Sequence, residues 1–298
     1  MLTSRKQIDN VGHRIKRNEE LPIDRDMLVA YREFRCKPMP LLLAQVSDAV
    51  VSLPCLLACR PKRIDTIMRK LKARNQMSLT YMSDIVGFRI LCGSRSIQDN
   101  IVDRLISRLP IKITRDHRRA ARESGYRGFH ADCLIEQRLP NSDTNTAFTF
   151  EVQVRTFFQH LWATESESLG EAVKAGGGSS EQRSYLSKLS RSIHEFEDGN
   201  PDFPQEFVSQ QNCPSQTWAV INFDKETGRQ VVSQVEFDVF DRAMSYFHYQ
   251  EQLFLQDMTK EIVLLGTNGN EESLKKTHLR YWVFKGRPTI PKSIDIRT

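Results

Sequence analysis

The sequence predicts an α/β (α+β) fold in which helices flank a mixed β-sheet, with a small α/β domain at the C-terminal end. Apolar residues follow a helical period up to about residue 58, and helix-like and strand-like segments alternate after it. Such alternation is typical of one sheet covered by helices. A loop containing Pro201, Pro204 and Pro214 precedes a shorter α/β pattern. We therefore predict a helical lead-in over residues 1–58, a larger domain over 59–200 and a companion domain over 215–298.

The lead-in is predicted from two stripes of apolar residues at helical spacing. They are Met27, Leu28, Tyr31 and Phe34, followed by Leu41, Leu42, Val46 and Val50. The most apolar window, residues 40–59, contains Asp48 and Pro54, which favours a buried helix and loop over a membrane span. No apolar stretch follows the basic N-terminal residues, so we expect no secretory signal, no membrane and a cytoplasmic location.

Predicted helices and strands alternate along the larger domain. A helix to about residue 74 precedes a strand over 85–92, a helix over 97–109, and strands over 111–116, 130–138 and 148–156. A helix over 157–174 leads to a glycine run at 176–178, which predicts a flexible break because a phosphate loop would need a preceding strand and a following lysine. A further helix carries Leu186, Leu189, Ile193 and Phe196 on one stripe.

The companion domain is shorter. We expect strands over 217–223 and 230–237, a helix over 240–256, a strand over 262–265 and a final helix.

Composition excludes several classes of protein. With 39% hydrophobic and 27% charged residues, the chain is neither disordered nor membrane-like. The net charge of +6 favours phosphate-bearing partners, although a solvated basic surface gives the same balance. The six cysteines include no CxxC pair, which predicts reduced core residues instead of a zinc site or disulfide framework.

Four segments combine residues suited to nucleotide chemistry. In the first, Lys62, Thr66 and Lys70 recur at four-residue steps and would form one face of a helix, a row about 12 Å long that suits a triphosphate. Arg60 before them is free to stack on a base. A solvated basic helix face is the alternative reading.

The second segment places Asp84 just before an apolar strand. A carboxylate there suits Mg²⁺, which takes one or two carboxylates together with phosphates, but it also suits a strand cap. Gly87 and Arg89 share one face of this strand if the strand is regular.

In the third segment, Tyr126 lies among cations on a turn flanked by Gly125 and Gly128, where its ring could stack on a base. A basic surface loop with a packed tyrosine is equally compatible. The cations are His117, Arg118, Arg119, Arg122 and Arg127.

The fourth segment is a strand with alternating faces. Phe148, Phe150, Val152 and Val154 predict a core face, and Thr149, Glu151, Gln153 and Arg155 the other. A solvated outer face would show the same alternation. The aromatic-rich helix that follows weakens that reading, because it would cover the strand end.

Together the four segments resemble the synthetase domain of RelA/SpoT-type alarmone synthetases, over roughly residues 50–170. The matching residues are Arg60, Lys62, Thr66 and Lys70; Asp84, Gly87 and Arg89; Gly125, Tyr126, Arg127 and His130; and Glu151, Gln153, Arg155 and Thr156. Thr66 replaces the usual serine, and Arg122 stands where many members carry lysine. The resemblance implies a nucleotidyltransferase-like synthetase fold with Mg²⁺ as cofactor.

The resemblance also implies a role for each residue. Arg60 and Arg89 would sandwich the adenine of ATP, and Lys62, Thr66 and Lys70 would hold its phosphates. Asp84 and Glu151 would be catalytic residues that bind Mg²⁺, with Glu151 also taking the proton of the attacking hydroxyl. Tyr126 would stack on the acceptor base, beside Arg122, His130, Gln153 and Arg155.

The activity implied is a GTP/GDP diphosphokinase that transfers the β,γ-pyrophosphate of ATP to the 3′-hydroxyl of GDP or GTP, making (p)ppGpp. Two alternatives stay open: a toxin-like relative that modifies the tRNA 3′ end or an adenine nucleotide, and an inactive nucleotide- or RNA-binding module. Arg14, Lys16 and Arg17 would serve a tRNA backbone. A homo-oligomer or an antitoxin partner is compatible with the same resemblance.

Overall fold

A computed structural model of the chain describes residues 4–138, 145–169, 178–202 and 216–281, except 228, 238, 258 and 270. Its centre is one eight-stranded sheet. The strands are β1 (Cys55–Pro61), β2 (Val86–Cys92), β3 (Ile111–Asp116), β4 (Phe129–Arg138), β5 (Asn145–Thr156), β6 (Thr217–Asp224), β7 (Arg229–Phe237) and β8 (Lys260–Thr267). Their order across the sheet is β3-β4-β5-β2-β1-β8-β6-β7. β2 and β5 pair in parallel and the other pairs are antiparallel, which confirms the predicted mixed sheet.

Helices cover this sheet. They are α1 (Arg5–Arg17), α2 (Pro22–Cys36), α3 (Met39–Ala49), α4 (Ile64–Ala73), α5 (Arg95–Arg108), α6 (Phe157–Ser168), α7 (Ser180–Gly199), α8 (Phe240–Leu253) and α9 (Glu271–Thr277). Short 3₁₀ turns occur at Leu79–Tyr81, Ser83–Ile85 and Leu279–Tyr281. None of the helices in the described ranges is long and apolar enough to cross a membrane.

Strand β1 corrects the expectation of a helical lead-in up to residue 58. Cys55–Pro61 is an inner strand that pairs with both β2 and β8. A short apolar run reads equally as strand or buried helix, because periodicity alone cannot separate them. In consequence Arg60 projects from a strand and Lys62 from the connection to α4, so that Thr66 and Lys70 alone of the predicted row lie on the helix.

The predicted breaks fall partly outside the described residues. Helix α6 ends at Ser168, and residues 170–177, with Gly176 and Gly177, are not described. Helix α7 begins after Ser179, whose hydroxyl accepts a hydrogen bond from the backbone of Gln182. The proline-rich loop lies outside the described residues from 203 to 215.

The C-terminal strands extend the sheet of the larger domain. Strand β8 pairs with β1 through Ala58 opposite Thr267 and Cys59 opposite Gly266, and β6 and β7 follow outward. The described strands of residues 59–200 and 215–298 therefore share one sheet, while the division into domains at these positions stays a prediction.

Four of the five described cysteines lie in the core, as expected for reduced thiols. Cys36, Cys59, Cys92 and Cys133 are buried and free. Burial raises the pKa of Cys36 to about 12, so this thiol stays protonated and unreactive. Cys213 lies outside the described residues.

Arg32 on α2 joins the N-terminal helices to α8. Its side chain is fully buried, pairs with Glu251 and lies 4.8 Å from the ring centroid of Phe247. We expect Arg32→Ala to lower the free energy of unfolding by about 3–5 kcal/mol, because it removes the arginine that pairs with the mostly buried carboxylate of Glu251. Urea denaturation measures this loss. Arg25→Ala, at an exposed site on the same helix, is the control. An equal effect of the two changes would contradict the stabilising role given to Arg32.

Candidate active site

Four neighbouring strands, β1, β2, β5 and β4, bring several of the predicted site residues together. Arg60 on β1 lies opposite Gly87 on β2, which lies opposite Glu151 on β5. One row further along, Arg89 lies opposite Gln153, which lies opposite His130 on β4. A cleft over these rows is lined by Ala58, Arg60, Lys62, Asp84, Gly87, Phe88, Arg89, Glu151, Gln153 and His278. The structure thus places both predicted carboxylates and both predicted base-stacking arginines in one cleft.

Asp84 binds two lysines of the first segment. The Nζ atoms of Lys62 and Lys70 lie 2.9 and 2.6 Å from its Oδ2. Burial works to raise the pKa of Asp84, but the two ammonium charges outweigh it and hold the pKa below the usual value. The other oxygen, Oδ1, is buried and has no hydrogen-bond partner among the described atoms. Asp84 is therefore an ionised group with one oxygen free to take a ligand.

Thr66, like Lys70, is not among the residues that line the cleft. It is partly exposed on α4, and its hydroxyl accepts a hydrogen bond from Arg69 at 3.4 Å. Lys70, one turn later, reaches Asp84.

Glu151 is a buried carboxylate surrounded by donors. His130 Nδ1 and Arg115 Nη2 donate to its Oε1 at 2.8 and 3.1 Å, and Gln153 Nε2 donates to Oε2 at 2.6 Å. Burial alone would raise the pKa of Glu151, but the hydrogen bonds from His130 and Gln153 and the charge of Arg115 hold it far below its usual value. The polar face of β5 is therefore a buried, charged network instead of a solvated surface.

Tyr126 belongs to the same network. His130 Nδ1 donates to Glu151, so its Nε2 accepts from the Tyr126 hydroxyl at 2.5 Å. Arg155 Nε donates to the same hydroxyl at 3.0 Å, and the guanidinium carbons of Arg155 and Arg122 lie 5.0 and 5.5 Å from the ring centroid. The five predicted acceptor residues thus meet around Tyr126 and Glu151.

The turn that carries Tyr126 needs both of its glycines. Gly125 has φ +89° and Gly128 has φ +145°, in a region that L-residues rarely adopt. The carbonyl of Gly125 accepts a hydrogen bond of 2.6 Å from the buried Ser190 hydroxyl on α7. A Cβ on Gly128 would meet the Tyr126 hydroxyl at 2.8 Å. The turn is held from both sides, so the tyrosine ring has a defined position.

We expect Gly128→Ala to lower the free energy of unfolding by about 1–3 kcal/mol and to displace Tyr126, because its φ is strained and its new methyl contacts the ring hydroxyl. Urea denaturation and tyrosine fluorescence measure both effects. Gly199→Ala, where a Cβ would meet nothing within 4 Å, is the matched control. Identical unfolding of the two variants would refute the role given to this turn.

Sequence reasoning missed three residues of the site. Arg115 on β3 binds Asp132 through two hydrogen bonds of 2.7 Å and reaches Glu151. Both strands were predicted but their pairing was not, and it is the observed β3–β4 pair that places Arg115 opposite His130. His278 lines the cleft, and Tyr281 lies beside Arg60. No sequence signal links these two residues to segments about 200 positions earlier.

The family comparison agrees with this geometry. Residues 59–169 match the model of a region found in RelA / SpoT proteins. This stretch contains all the cleft and network residues described above except Ala58 and those contributed by α7 and the C-terminal part. Residues 59–169 are a RelA/SpoT-type domain.

Two curated proteins are similar to part of this chain. The uncharacterized protein Rv1366 of Mycobacterium tuberculosis is 30% identical over 170 residues, which span 53% of this chain and 57% of that protein. The GTP pyrophosphokinase YjbM of Bacillus subtilis is 27% identical over 114 residues, which span 37% of this chain and 53% of that protein. The chain therefore spans a little over half the length of these relatives.

Among solved structures, this chain is similar to small alarmone synthetase 1 from Bacillus subtilis bound to its product pppGpp. The TM-score is 0.48 at 22% identity, over 56% of this chain and 93% of that one. A GTP pyrophosphokinase family protein from Streptococcus pneumoniae also has a TM-score of 0.48 at 23% identity, over 57% of this chain and 90% of that one.

Proposed function

We propose that the chain is an ATP-dependent pyrophosphokinase that transfers the β,γ-pyrophosphate of ATP to the 3′-hydroxyl of GDP or GTP. The observation that carries the proposal is the cleft in which Asp84 and Glu151 lie beside Lys62, Arg60 and Arg89. A site that only bound phosphates would gain little from two ionised carboxylates. A transferase gains a metal site and a proton acceptor.

The carboxylates fit Mg²⁺. The described residues contain no cluster of three or more His, Cys, Asp or Glu side chains suited to a metal. Mg²⁺ does not require one, because it takes one or two carboxylates and completes its shell with phosphates and water. Asp84 offers its unpartnered buried oxygen, and Glu151 would supply the second ligand. When bound, the ion would offset negative charge on the transferred phosphates.

The residues of the chain have defined parts in the proposed reaction. Lys62 and Lys70 bind the phosphates of ATP and offset the charge that develops on them, which is the main source of catalysis in phosphoryl-type transfer. The 3′-oxygen of the acceptor forms a bond to the β-phosphorus, the bond from that phosphorus to the α,β-bridging oxygen breaks, and AMP leaves. The hydroxyl proton passes to Glu151.

Glu151 must become more basic to take this proton. In the structure its oxygens accept from three donors, which hold its pKa far below the usual value. An acceptor hydroxyl that displaces His130 or Arg115 removes part of this stabilisation and raises the pKa. The donors around Glu151 are therefore part of the proposed control of proton transfer.

Tyr126 carries the proposed contact with the acceptor base. Tyr126→Ala is expected to raise the acceptor KM by roughly ten- to a hundredfold with little change for ATP, since base stacking contributes about 1–3 kcal/mol. Sequence reasoning predicts a mild effect of Tyr126→Phe. The structure adds a second effect. A phenylalanine at this position removes the hydroxyl that donates to His130 Nε2, and the loss of this hydrogen bond lowers the stability of the site by about 1 kcal/mol. Initial rates over an acceptor series test both variants, and equal acceptor KM values for wild type and Tyr126→Ala would remove the stacking role.

Two of the three N-terminal basic residues make contacts within the chain, which weakens the case for a tRNA acceptor. Arg14 binds Asp24, and the Lys16 ammonium donates to the carbonyl of Asn75 at 2.8 Å. These two side chains therefore hold α1 against its neighbours. The proposed acceptor remains a guanine nucleotide.

The acceptor is tested directly with γ-labelled ATP and Mg²⁺, supplied with GDP, GTP, ADP or bulk tRNA in separate reactions. Because the γ-phosphate moves with the transferred group, the acceptor becomes labelled. We expect label in the guanine nucleotides. Label in ADP or tRNA alone would overturn the acceptor, and label in none of them would overturn the enzyme.

A further inference from the structure

A C-terminal turn, residues 277–281, contacts the two arginines of the donor cleft. Arg89 Nη1 donates a hydrogen bond of 2.9 Å to the carbonyl of Thr277. Arg60 Nη1 lies 3.5 Å from the hydroxyl of Tyr281. His278, which lies between Thr277 and Tyr281 in sequence, lines the same cleft and is 4% exposed. The turn lies more than 100 residues beyond the RelA/SpoT-type domain, yet it forms one wall of that domain's cleft.

The turn is anchored through Tyr281. This side chain is 3% exposed, and its ring packs 5.5 Å from that of Phe223. Its hydroxyl donates to Glu261 Oε1 at 2.6 Å, and Glu261 Oε2 pairs with Arg63 Nη1 at 2.8 Å. Burial raises the pKa of Tyr281 to about 12, so the hydroxyl keeps its proton. Because Arg63 directly precedes α4, the anchor joins the C-terminal turn to the helix that carries Lys70.

The contacts with Thr277 and Tyr281 restrict the orientation of the two guanidinium groups. All five N–H donors of arginine lie in one plane, so hydrogen bonds made in that plane fix the orientation of the group and leave its two flat faces free. A purine base stacks on such a face. His278 adds no charge, because burial and the nearby charges of Arg89 and Arg60 hold its pKa well below the usual value.

We propose that the turn 277–281 completes the donor subsite. The carbonyl of Thr277 and the hydroxyl of Tyr281 hold Arg89 and Arg60 in the orientation that stacks on the purine of a nucleoside triphosphate, and His278 forms the wall beside that base. Thr277 and Tyr281 are positioning residues in this account. The inference rests on the proposed function, in which this cleft binds the donor nucleotide.

Calorimetric titration of the full chain with α,β-methylene-ATP and Mg²⁺ tests the proposal without turnover. Tyr281→Phe keeps the ring and removes the hydroxyl. We expect it to weaken binding by about five- to tenfold, the equivalent of one hydrogen bond. Tyr249→Phe is the matched control, because Tyr249 lies in the same C-terminal part and is 59% exposed. The acceptor KM of Tyr281→Phe is expected to match wild type, which general destabilisation would not produce.

The outcomes distinguish failure of the positioning role from failure of the proposed function. Wild-type affinity in Tyr281→Phe would overturn the positioning role. Tighter binding would overturn it as well, by showing that the turn obstructs the cleft. If wild type itself binds no analogue, the proposed function fails first. Should Tyr281→Phe not fold, Glu261→Gln weakens the hydrogen bond that holds the same hydroxyl, and a smaller loss of affinity is expected.

Discussion

Glu151→Gln is expected to lower the rate of pyrophosphate transfer by at least about a hundredfold, in line with typical contributions of a general base. The amide keeps the shape of the side chain but removes a Mg²⁺ ligand and the proton acceptor. It also places an NH₂ group among the donors of His130, Arg115 and Gln153, which have no acceptor to offer it there. Steady-state rates with ATP and GDP measure the effect.

The control for this change is Glu136→Gln, the same substitution at an exposed position of β4. Circular dichroism should show the same helix and strand content in both variants. A Glu151→Gln rate within a few-fold of wild type would remove Glu151 from the mechanism.

Asp84→Asn is expected to raise the Mg²⁺ concentration needed for half-maximal rate by at least about tenfold, because a neutral amide oxygen is a poorer ligand for a hard cation. The structure adds a second effect. Lys62 and Lys70 lose the carboxylate that they share, so their charges repel each other in a partly buried site. Excess Mg²⁺ should therefore restore part of the rate and not all of it.

Mg²⁺ titrations at saturating ATP test this expectation. Asp65→Asn, at an exposed carboxylate on α4, is the comparison and should leave the Mg²⁺ dependence unchanged. The same Mg²⁺ dependence in Asp84→Asn and wild type would favour the alternative in which Asp84 only caps its strand.

Much of the fold could be predicted because the pattern of apolar residues in the sequence matches the residues that are buried in the structure. Phe148, Phe150, Val152 and Val154 alternate with polar residues along β5, and all four are fully buried. The opposite face shows where this reasoning ends. The alternation looks the same whether Glu151 and Arg155 lie in water or inside the protein, and the two residues are only 7% and 6% exposed. Covering elements from elsewhere in the chain decide the burial.

The site could be predicted in part for a related reason. Residues close in sequence, such as Lys62 and Lys70, were placed together from their spacing, although Lys62 lies before the helix and not on it. Strand β1 was missed because the short apolar run over residues 55–59 has no distinctive period. The contacts of Arg89 with Thr277 and of Arg35 with the β5 backbone join residues more than 100 positions apart, which no local pattern records.

The measurement that tests the central claim most directly is the identity of the two products formed from ATP and GDP with Mg²⁺. Transfer of the β,γ-pyrophosphate requires one AMP for each guanosine product that has gained two phosphate groups at its 3′ position. Mass spectrometry of the reaction should find these two species in equal amounts, and Glu151→Gln should form both at least about a hundredfold more slowly. Release of ADP in place of AMP, or AMP with no phosphorylated guanosine product, would contradict the account.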